Sequence, residues 1–344
     1  MRHLETRPEV VAGDLTFATG LLVHLVQALQ TIDDGQLLAV SGPPSLEADL
    51  RAWSAFTGHA IVSTEPQDNL TRWLIRRGLA RGQNDAPRAL GSRLWLYTNF
   101  DCNLRCDYCC VRSSPAALRK ALGIDRVRRI VSEAGALGVR EFFVTGGEPF
   151  ILPDIGDIIT TLAASALVTV LTNGMLFKGS RLEALRALPH DRVTLQISLD
   201  SPTPDLHDRH RGEGAWRATW AGIALAKREG FRVRLAATVA SEADEAAFTR
   251  FLDSEGVHED DRVIRRIARR GFAESGVSVS RADLVPELTI TASGVYWHPV
   301  GAEDDDLLVT REIFPLATAF EKAREAVAAS EEHGNRLAKI FYCA

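Results

Sequence analysis

Two hydrophobic periods alternate along the chain from Leu94 onward. Short apolar runs rich in β-branched residues predict strands, and longer stretches with apolar residues every three or four positions predict helices. The predicted strands are Leu94–Thr98, Glu141–Val144, Leu167–Leu171, Val193–Ser198, Val233–Val239 and Val263–Ile267. The predicted helices include Asp125–Leu137, Leu182–Leu188, Ala215–Glu229 and Asp244–Leu252. Such alternation predicts an α/β fold with a parallel sheet, either open or curved into a partial barrel.

Residues 1–83 have a different pattern, which predicts a small separate α/β domain. Helical spacing covers Phe17–Ile32, and a second helix is expected from an N-cap at Ser45 to Phe56. The predicted strands of this domain are Gln36–Val40, Ala60–Ser63 and Leu70–Ile75. Residues 84–93 have the composition of a linker.

The C-terminal part, residues 276–344, is expected to extend a barrel domain formed by residues 94–275. Glu287–Thr291 and Val295–His298 flank a short Ala-Ser-Gly turn, which predicts a hairpin. Phe314–Ser330 is rich in alanine and predicts a helix. We therefore expect a short hairpin–helix extension.

Composition narrows the class of protein. The chain has 344 residues, 46% hydrophobic and 25% charged, as in globular proteins of about two domains. Its net charge of −5 argues against general nucleic-acid binding. No apolar run approaches the roughly 20 residues that span a bilayer, and the N-terminus lacks a signal-peptide core, so we expect a cytoplasmic protein. Five cysteines in so long a chain do not make a disulfide framework.

Three cysteines, Cys102, Cys106 and Cys109, lie within eight positions directly after the first barrel strand. Their CxxxCxxC spacing lets three thiolates converge from one loop. Iron–sulfur cubanes normally take four thiolates, so one iron would keep an open position for chemistry. The alternative is a zinc site completed by Cys110 or a histidine. It is disfavoured because the side chains of the neighbouring residues Cys109 and Cys110 diverge and rarely bind one ion. Cys110 is expected to be a small packed residue.

The second barrel strand ends in the sequence Thr-Gly-Gly-Glu-Pro, residues 145–149. Gly146 and Gly147 would let the backbone approach a ligand and adopt positive φ, and Glu148 adds a carboxylate. Such a loop suits an ammonium group, although Gly-Gly is also common in ordinary turns.

Together these two motifs resemble those of the radical S-adenosylmethionine (radical SAM) superfamily. The resemblance implies a partial (β/α)6 barrel in which Cys102, Cys106 and Cys109 bind one 4Fe–4S cluster. It also implies that S-adenosylmethionine (SAM) chelates the fourth iron and is reductively cleaved to a 5′-deoxyadenosyl radical, which abstracts hydrogen from a substrate. The implied SAM contacts are Tyr108, Gly146, Gly147, Glu148, Ser198 and Asp200, with Arg265 or Arg266 as candidates near its carboxylate. An external electron donor of the ferredoxin or flavodoxin type is implied as well, because the chain shows no flavin or nicotinamide loop.

The segment from His207 to Gly214 resembles the HD…RG…G segment of peptide-maturing members with a SPASM or twitch extension. This favours a ribosomally made peptide as substrate. A small molecule, such as a nucleotide, sugar or cofactor precursor, is an alternative, and a non-catalytic iron–sulfur or zinc module is another. The tail lacks the SPASM cysteines, so His298 and Cys343 are expected to hold no second cluster. Cys343 is expected to be a free thiol, or alternatively a hydrogen donor or substrate contact.

Several short segments of the first 80 residues stand out: Gly20-Leu21 at the start of a helix, Asp33-Asp34-Gly35-Gln36, Asp49 with Trp53, and Gly58-His59. Together they resemble a TusA-like sulfur-carrier domain. The Cys-Pro of that family aligns with Val23 and His24, so a persulfide relay is not possible there. The resemblance therefore implies a scaffold, docking or substrate-recognition role.

Overall fold

The computed structural model describes residues 8–17, 21–32, 36–57, 59–77 and 90–332. Contacts divide the chain into two compact units, Met1–Arg88 and Ala89–Ala344. Each unit has its own hydrophobic core. Every helix among the described residues is too short or too polar to span a bilayer.

The first unit has a four-stranded sheet in the order β1-β2-β4-β3, in which only β1 and β2 run parallel. Its elements are β1 (Glu9–Val11), α1 (Leu21–Gln30), β2 (Leu37–Gly42), α2 (Glu47–Thr57), β3 (Ala60–Gln67) and β4 (Leu70–Arg76). Both helices contribute to one core with alternate strand residues such as Leu38 and Trp73. Strand β1 was not predicted, and Ser45 lies inside a 3₁₀ turn (Pro44–Leu46) that precedes α2 instead of capping it.

The second unit is built on six consecutive parallel strands whose spatial order follows the chain. They are β5 (Arg93–Tyr97), β6 (Glu141–Thr145), β7 (Leu167–Thr172), β8 (Val193–Ser198), β9 (Arg232–Val239) and β10 (Arg262–Arg266). The sequence-based prediction of an α/β fold with these strands is confirmed. The sheet is open, because β10 forms one of its edges.

Helices follow the strands and contribute to one apolar core with alternate strand residues such as Leu96, Val144 and Leu195. They are α3 (Ile124–Ala134), α4 (Ile155–Ala163), α5 (Ser180–Arg186), α6 (Pro204–Arg211), α7 (Ala215–Arg228) and α8 (Glu242–Ser254). Helix α6 was not predicted because its sequence is almost entirely polar, with His207 as its buried residue.

The predicted C-terminal hairpin forms and joins the main sheet. Strand β11 (Thr289–Thr291) pairs parallel with β5 and antiparallel with β12 (Gly294–Tyr296), which in turn pairs with β13 (Leu308–Thr310). Helix α9 (Leu316–Glu332) follows. Tyr296 and Trp297 belong to the same apolar cluster as Trp95 and Phe143, whose rings stack at 4.4 Å. Most of the predicted linker at 84–93 lies outside the described residues, and Arg93 already begins β5.

Candidate functional site

The carboxyl ends of the parallel strands open into a cavity of about 200 Å³. The loops that follow parallel strands collect at this edge of a sheet, which is where α/β proteins place their ligands. The cavity lining includes most of the residues singled out from the sequence: Cys102, Cys106, Tyr108, Cys109, Gly146, Gly147, Ser198, Arg265 and Arg266. Glu148 and Asp200 lie next to the cavity but outside its lining.

The cysteine loop holds its sulfur atoms with backbone donors. Cys102 is buried, whereas Cys106 and Cys109 are partly buried. The N–H of Leu104 donates to Sγ of Cys102 at 3.4 Å, and the N–H of Ser113 donates to Sγ of Cys109 at 3.3 Å. Hydrogen bonds to sulfur of this kind tune iron–sulfur clusters and orient their ligands.

Burial keeps the thiols of Cys102 and Cys106 protonated unless a metal ion binds them. It raises the pKa of Cys102 to about 12 and that of Cys106 to about 11, and the neighbouring cysteines add to both effects. Thiolates at this site therefore require metal coordination. Within the described ranges, no group of three or more His, Cys, Asp or Glu side chains is arranged to hold one metal ion. In a cubane each thiolate binds a different iron, so its ligands do not converge on a single atom.

The Gly-Gly loop packs directly against the start of the cysteine loop. A Cβ on Gly146 would lie 2.3 Å from Oδ1 of Asn99, and a Cβ on Gly147 would lie 2.2 Å from the carbonyl oxygen of Asp101. Neither glycine adopts the expected positive φ, so that expectation was wrong. The glycines are required because two backbone segments approach each other closely.

Asn99 joins the same two loops, and the sequence reasoning missed it. It is fully buried, and its Nδ2 donates to the carbonyl oxygens of Asp101 at 2.9 Å and Glu148 at 3.1 Å. The sequence feature that could have identified Asn99 was its position directly after a predicted buried strand.

The carboxylate of Glu148 fastens β6 to the end of β7. It accepts hydrogen bonds from the hydroxyl of Thr172 at 2.8 Å, the N–H of Asn173 at 2.8 Å and the N–H of Phe150 at 3.1 Å. Burial raises the pKa of Glu148 despite these hydrogen bonds. The side chain of Glu148 therefore holds the loop in place, and its backbone carbonyl oxygen accepts the hydrogen bond from Asn99.

The carboxylate of Asp200 joins three segments beside the cavity. It accepts hydrogen bonds from the Tyr108 hydroxyl, from Arg211 at 2.6 and 3.2 Å, and from the N–H of Thr238 at 3.0 Å. Burial alone would raise the pKa of Asp200, but the Arg211 charge lowers it below its usual value. The Arg211 guanidinium also lies over the Tyr108 ring, 5.6 Å from its centre, and lines the cavity. Sequence reasoning noted Arg211 only as part of a motif.

The His-Asp pair that precedes Arg211 is structural. His207 is buried, and its Nδ1 accepts a hydrogen bond from the N–H of Asp200 at 3.2 Å. Burial lowers the pKa of His207 to about 4, so the ring is neutral. Asp208 caps α7 by accepting from the N–H groups of Gly214 at 2.8 Å and Trp216 at 2.7 Å.

The two candidate arginines of β10 differ in their partners. Arg266 forms ion pairs with Glu242 at 3.5 Å and Glu245 at 3.6 Å, both in α8. Arg265 lines the cavity, and its Nε and Nη2 are buried with no partner in the described part of the chain. Arg265 is therefore the arginine free to bind an anion.

The remaining candidates lie apart from the cysteine loop or pack beside it. Cys110 packs against the apolar cluster that contains Trp95. His298 is fully buried, and burial together with nearby arginine charges lowers its pKa to about 3. His24 is exposed in α1, and Cys343 lies outside the described residues.

The profile of the family described as "Radical SAM superfamily" matches residues 96–245. The chain contains a radical SAM domain. AlbA of Bacillus subtilis, the antilisterial bacteriocin subtilosin biosynthesis protein, is 33% identical over 160 residues, 46% of this chain and 35% of that protein. A GTP 3′,8-cyclase of Microcystis aeruginosa is 36% identical over 140 residues, 38% of this chain and 42% of that protein.

Among solved structures, anSMEcpe with bound AdoMet and the Kp18Cys peptide matches with a TM-score of 0.55. It is 13% identical and covers 69% of this chain and 83% of that one, which shows a shared fold. The chain spans less than half the length of the curated relatives it matches.

Radical SAM enzymes use a 4Fe–4S cluster and SAM, and the residues of this domain fit both. Three thiols face one cavity, and burial makes two of them, Cys102 and Cys106, costly to ionise without a metal. Backbone N–H groups donate to the sulfur atoms of Cys102 and Cys109. An unpartnered arginine lines the same cavity and suits the carboxylate of SAM.

Proposed function

We propose that this protein is a radical SAM enzyme that modifies a ribosomally made peptide. The observation that carries the proposal is the placement of Cys102, Cys106 and Cys109 around one cavity, with Arg265 unpartnered in its wall. The bound cofactors would supply reductive cleavage of SAM and a 5′-deoxyadenosyl radical that takes a hydrogen atom from the substrate.

The residues of the cavity would divide the work of holding these groups. The three cysteines would ligate the cluster, and the backbone of Gly146 and Gly147 would receive the ammonium group of SAM. Tyr108 would support the adenine, because Asp200 fixes its hydroxyl and Arg211 covers its ring.

The SAM carboxylate would pair with Arg265, because the acidic side chains of α8 already engage Arg266. Ser198, at the end of β8, lies in the same wall and is suited to the ribose or methionine part of SAM.

Two observations support a peptide substrate. The relatives include a subtilosin biosynthesis protein and a PqqA peptide cyclase of Ruegeria pomeroyi, the latter 36% identical over 143 residues. The segment from His207 to Gly214 also resembles that of peptide-maturing members. A small-molecule substrate is the second candidate, because a GTP 3′,8-cyclase is equally similar over 140 residues.

Anaerobic reconstitution tests the proposed chemistry. The protein is loaded with iron and sulfide, mixed with SAM and dithionite, and assayed for 5′-deoxyadenosine. We expect the wild-type protein and Cys110→Ala to form it, and Cys106→Ala to lose both the cluster spectrum and the product. Product formation by Cys106→Ala would overturn the proposal.

Mass spectrometry separates the two substrate classes. Active enzyme is incubated with a short peptide encoded beside its gene and, separately, with GTP. A mass change in the peptide alone supports the peptide assignment, and conversion of GTP contradicts it. Reduced flavodoxin or ferredoxin in place of dithionite tests the expected external electron donor.

A further inference from the structure

The face of the main sheet that lines the cavity carries two polar side chains with no role in the proposed function. Gln196 of β8 and Arg234 of β9 are register partners. Because side chains alternate along a strand, they share a face with Ser198 and Thr238, which line the cavity. Leu171, the partner of Gln196 on β7, also lines it. The pair therefore lies beside the cavity, level with one of its lining residues.

Both side chains have buried polar atoms without a hydrogen-bond partner among the described residues. Gln196 is 1% exposed, and neither its Oε1 nor its Nε2 has a hydrogen-bond partner. The Nε of Arg234 is also buried without one. Leaving a buried polar group unsatisfied costs about 1–3 kcal/mol, so such groups usually serve a ligand or ordered water.

The arginines of β5, β9 and β10 show how unusual Arg234 is. Four of these six side chains form an ion pair with a carboxylate within the described ranges, and Arg234 and Arg265 form none. The four ion pairs are Arg93–Glu141 at 3.2 Å, Arg232–Asp261 at 2.7 Å, Arg262–Asp253 at 2.6 Å and Arg266–Glu242 at 3.5 Å. Burial lowers the pKa of Arg234, and the charge of Arg265 adds to this effect. The charge of Glu141 opposes it, but that carboxylate already forms an ion pair with Arg93.

We propose that Gln196 and Arg234 form a substrate subsite for a carboxylate next to a peptide group. A guanidinium matches a carboxylate through two parallel hydrogen bonds, and a carboxamide offers the one donor and one acceptor that a peptide group requires. The small residues Ser198 and Ala236 are register partners that lie one step nearer the carboxyl ends of their strands, so they place little side-chain bulk above the pair. Two unpaired cations at different depths suit two anions, the SAM carboxylate at Arg265 and the substrate carboxylate at Arg234.

This inference rests on the proposed function and narrows its substrate to peptides with a carboxylate at the reacting segment. That carboxylate comes from an acidic side chain or from the chain terminus. N-acetylglutamate N-methylamide presents the first arrangement, and N-acetylalanine presents the second. N-acetylglutamine N-methylamide is the uncharged control.

Binding of these probes to the reconstituted, SAM-saturated protein is measured by isothermal titration calorimetry. We expect at least one acidic probe to bind tenfold or more tightly than the glutamine control, and the tighter one identifies the source of the carboxylate. Arg234→Gln should remove this preference and leave SAM affinity unchanged. Arg232→Gln, which changes an exposed arginine of the same strand, should retain it. Arg234→Lys, which keeps the charge, should retain part of it.

Equal binding of acidic and uncharged probes, or a preference that survives Arg234→Gln, would overturn the subsite. Binding of inorganic phosphate at concentrations where neither acidic probe binds would also overturn the subsite. The two proposals fail separately. If no 5′-deoxyadenosine forms but the preference for an acidic probe still depends on Arg234, only the proposed function is contradicted. If SAM is cleaved but that preference is absent, only the subsite is contradicted.

Discussion

Arg211 donates two hydrogen bonds to Asp200, from Nε at 2.6 Å and from Nη2 at 3.2 Å. The side chains are 9% and 1% exposed, so this ion pair is almost completely buried. It joins helix α6 to the end of β8, and Tyr108 of the cysteine loop donates to the same carboxylate. One acidic side chain therefore fixes three segments beside the cavity.

Replacing Asp200 by asparagine should destabilise the protein by about 3 kcal/mol, because Arg211 would remain buried without a counter-charge. Urea denaturation of the metal-free protein under reducing conditions measures this. Arg186→Gln is the matched control, since it breaks the exposed two-point ion pair of Arg186 with Glu229 and should have little effect. Equal effects of the two substitutions would contradict the role assigned to Asp200.

Two buried histidines should make stability fall with acid. Burial lowers the pKa of His207 to about 4 and that of His298 to about 3. In an unfolded chain both would titrate near 6.5, so below that pH the unfolded state binds more protons. The unfolding free energy should therefore be highest above about pH 6.5 and fall as the pH approaches 4.

Urea denaturation at a series of pH values tests this dependence. His298→Asn should flatten the slope between about pH 6.5 and 4, because it removes one of the two titrating groups. His258→Asn, which changes a side chain that is 74% exposed, is the control. An unchanged slope in His298→Asn would contradict the assignment.

Gly147→Ala should disturb the cysteine loop. The added Cβ would meet the carbonyl oxygens of Asp101 at 2.2 Å and Phe100 at 2.7 Å, so the backbone before Cys102 must move. We expect a loss of about 1–3 kcal/mol in unfolding free energy and less iron per chain after reconstitution. Gly135→Ala is the control, since a Cβ there meets no atom within 4 Å. Normal iron content in Gly147→Ala would show that the close packing is not required.

Arg265→Gln should weaken SAM binding about tenfold or more, because it removes the unpartnered cation of the cavity wall. Arg266→Gln should change SAM affinity little, because that side chain already pairs with Glu242 and Glu245. Equilibrium binding of SAM to the reconstituted variants measures the difference. A larger effect from Arg266→Gln would reverse the assignment.

Local patterns predicted most of the secondary structure of the barrel unit. The six parallel strands and the C-terminal hairpin were predicted because strand-forming runs and turn residues act over a few positions. Helix α6 was missed because its polar sequence gives no periodic signal, and its place depends on the burial of His207.

The sequence by itself determined the cysteine motif, the order of the parallel strands and the likeness of residues 96–245 to a radical SAM domain, because these depend on spacing within short segments. Only the tertiary structure decided which side chains meet. Tyr108 and Asp200 are 92 positions apart, and Gln196 comes to face Arg234 only through strand register. The glycines of the second loop are also needed because Asn99 and Asp101 approach them closely, which the sequence did not show. Contacts between distant segments depend on how strands align and loops pack, and no local pattern encodes that.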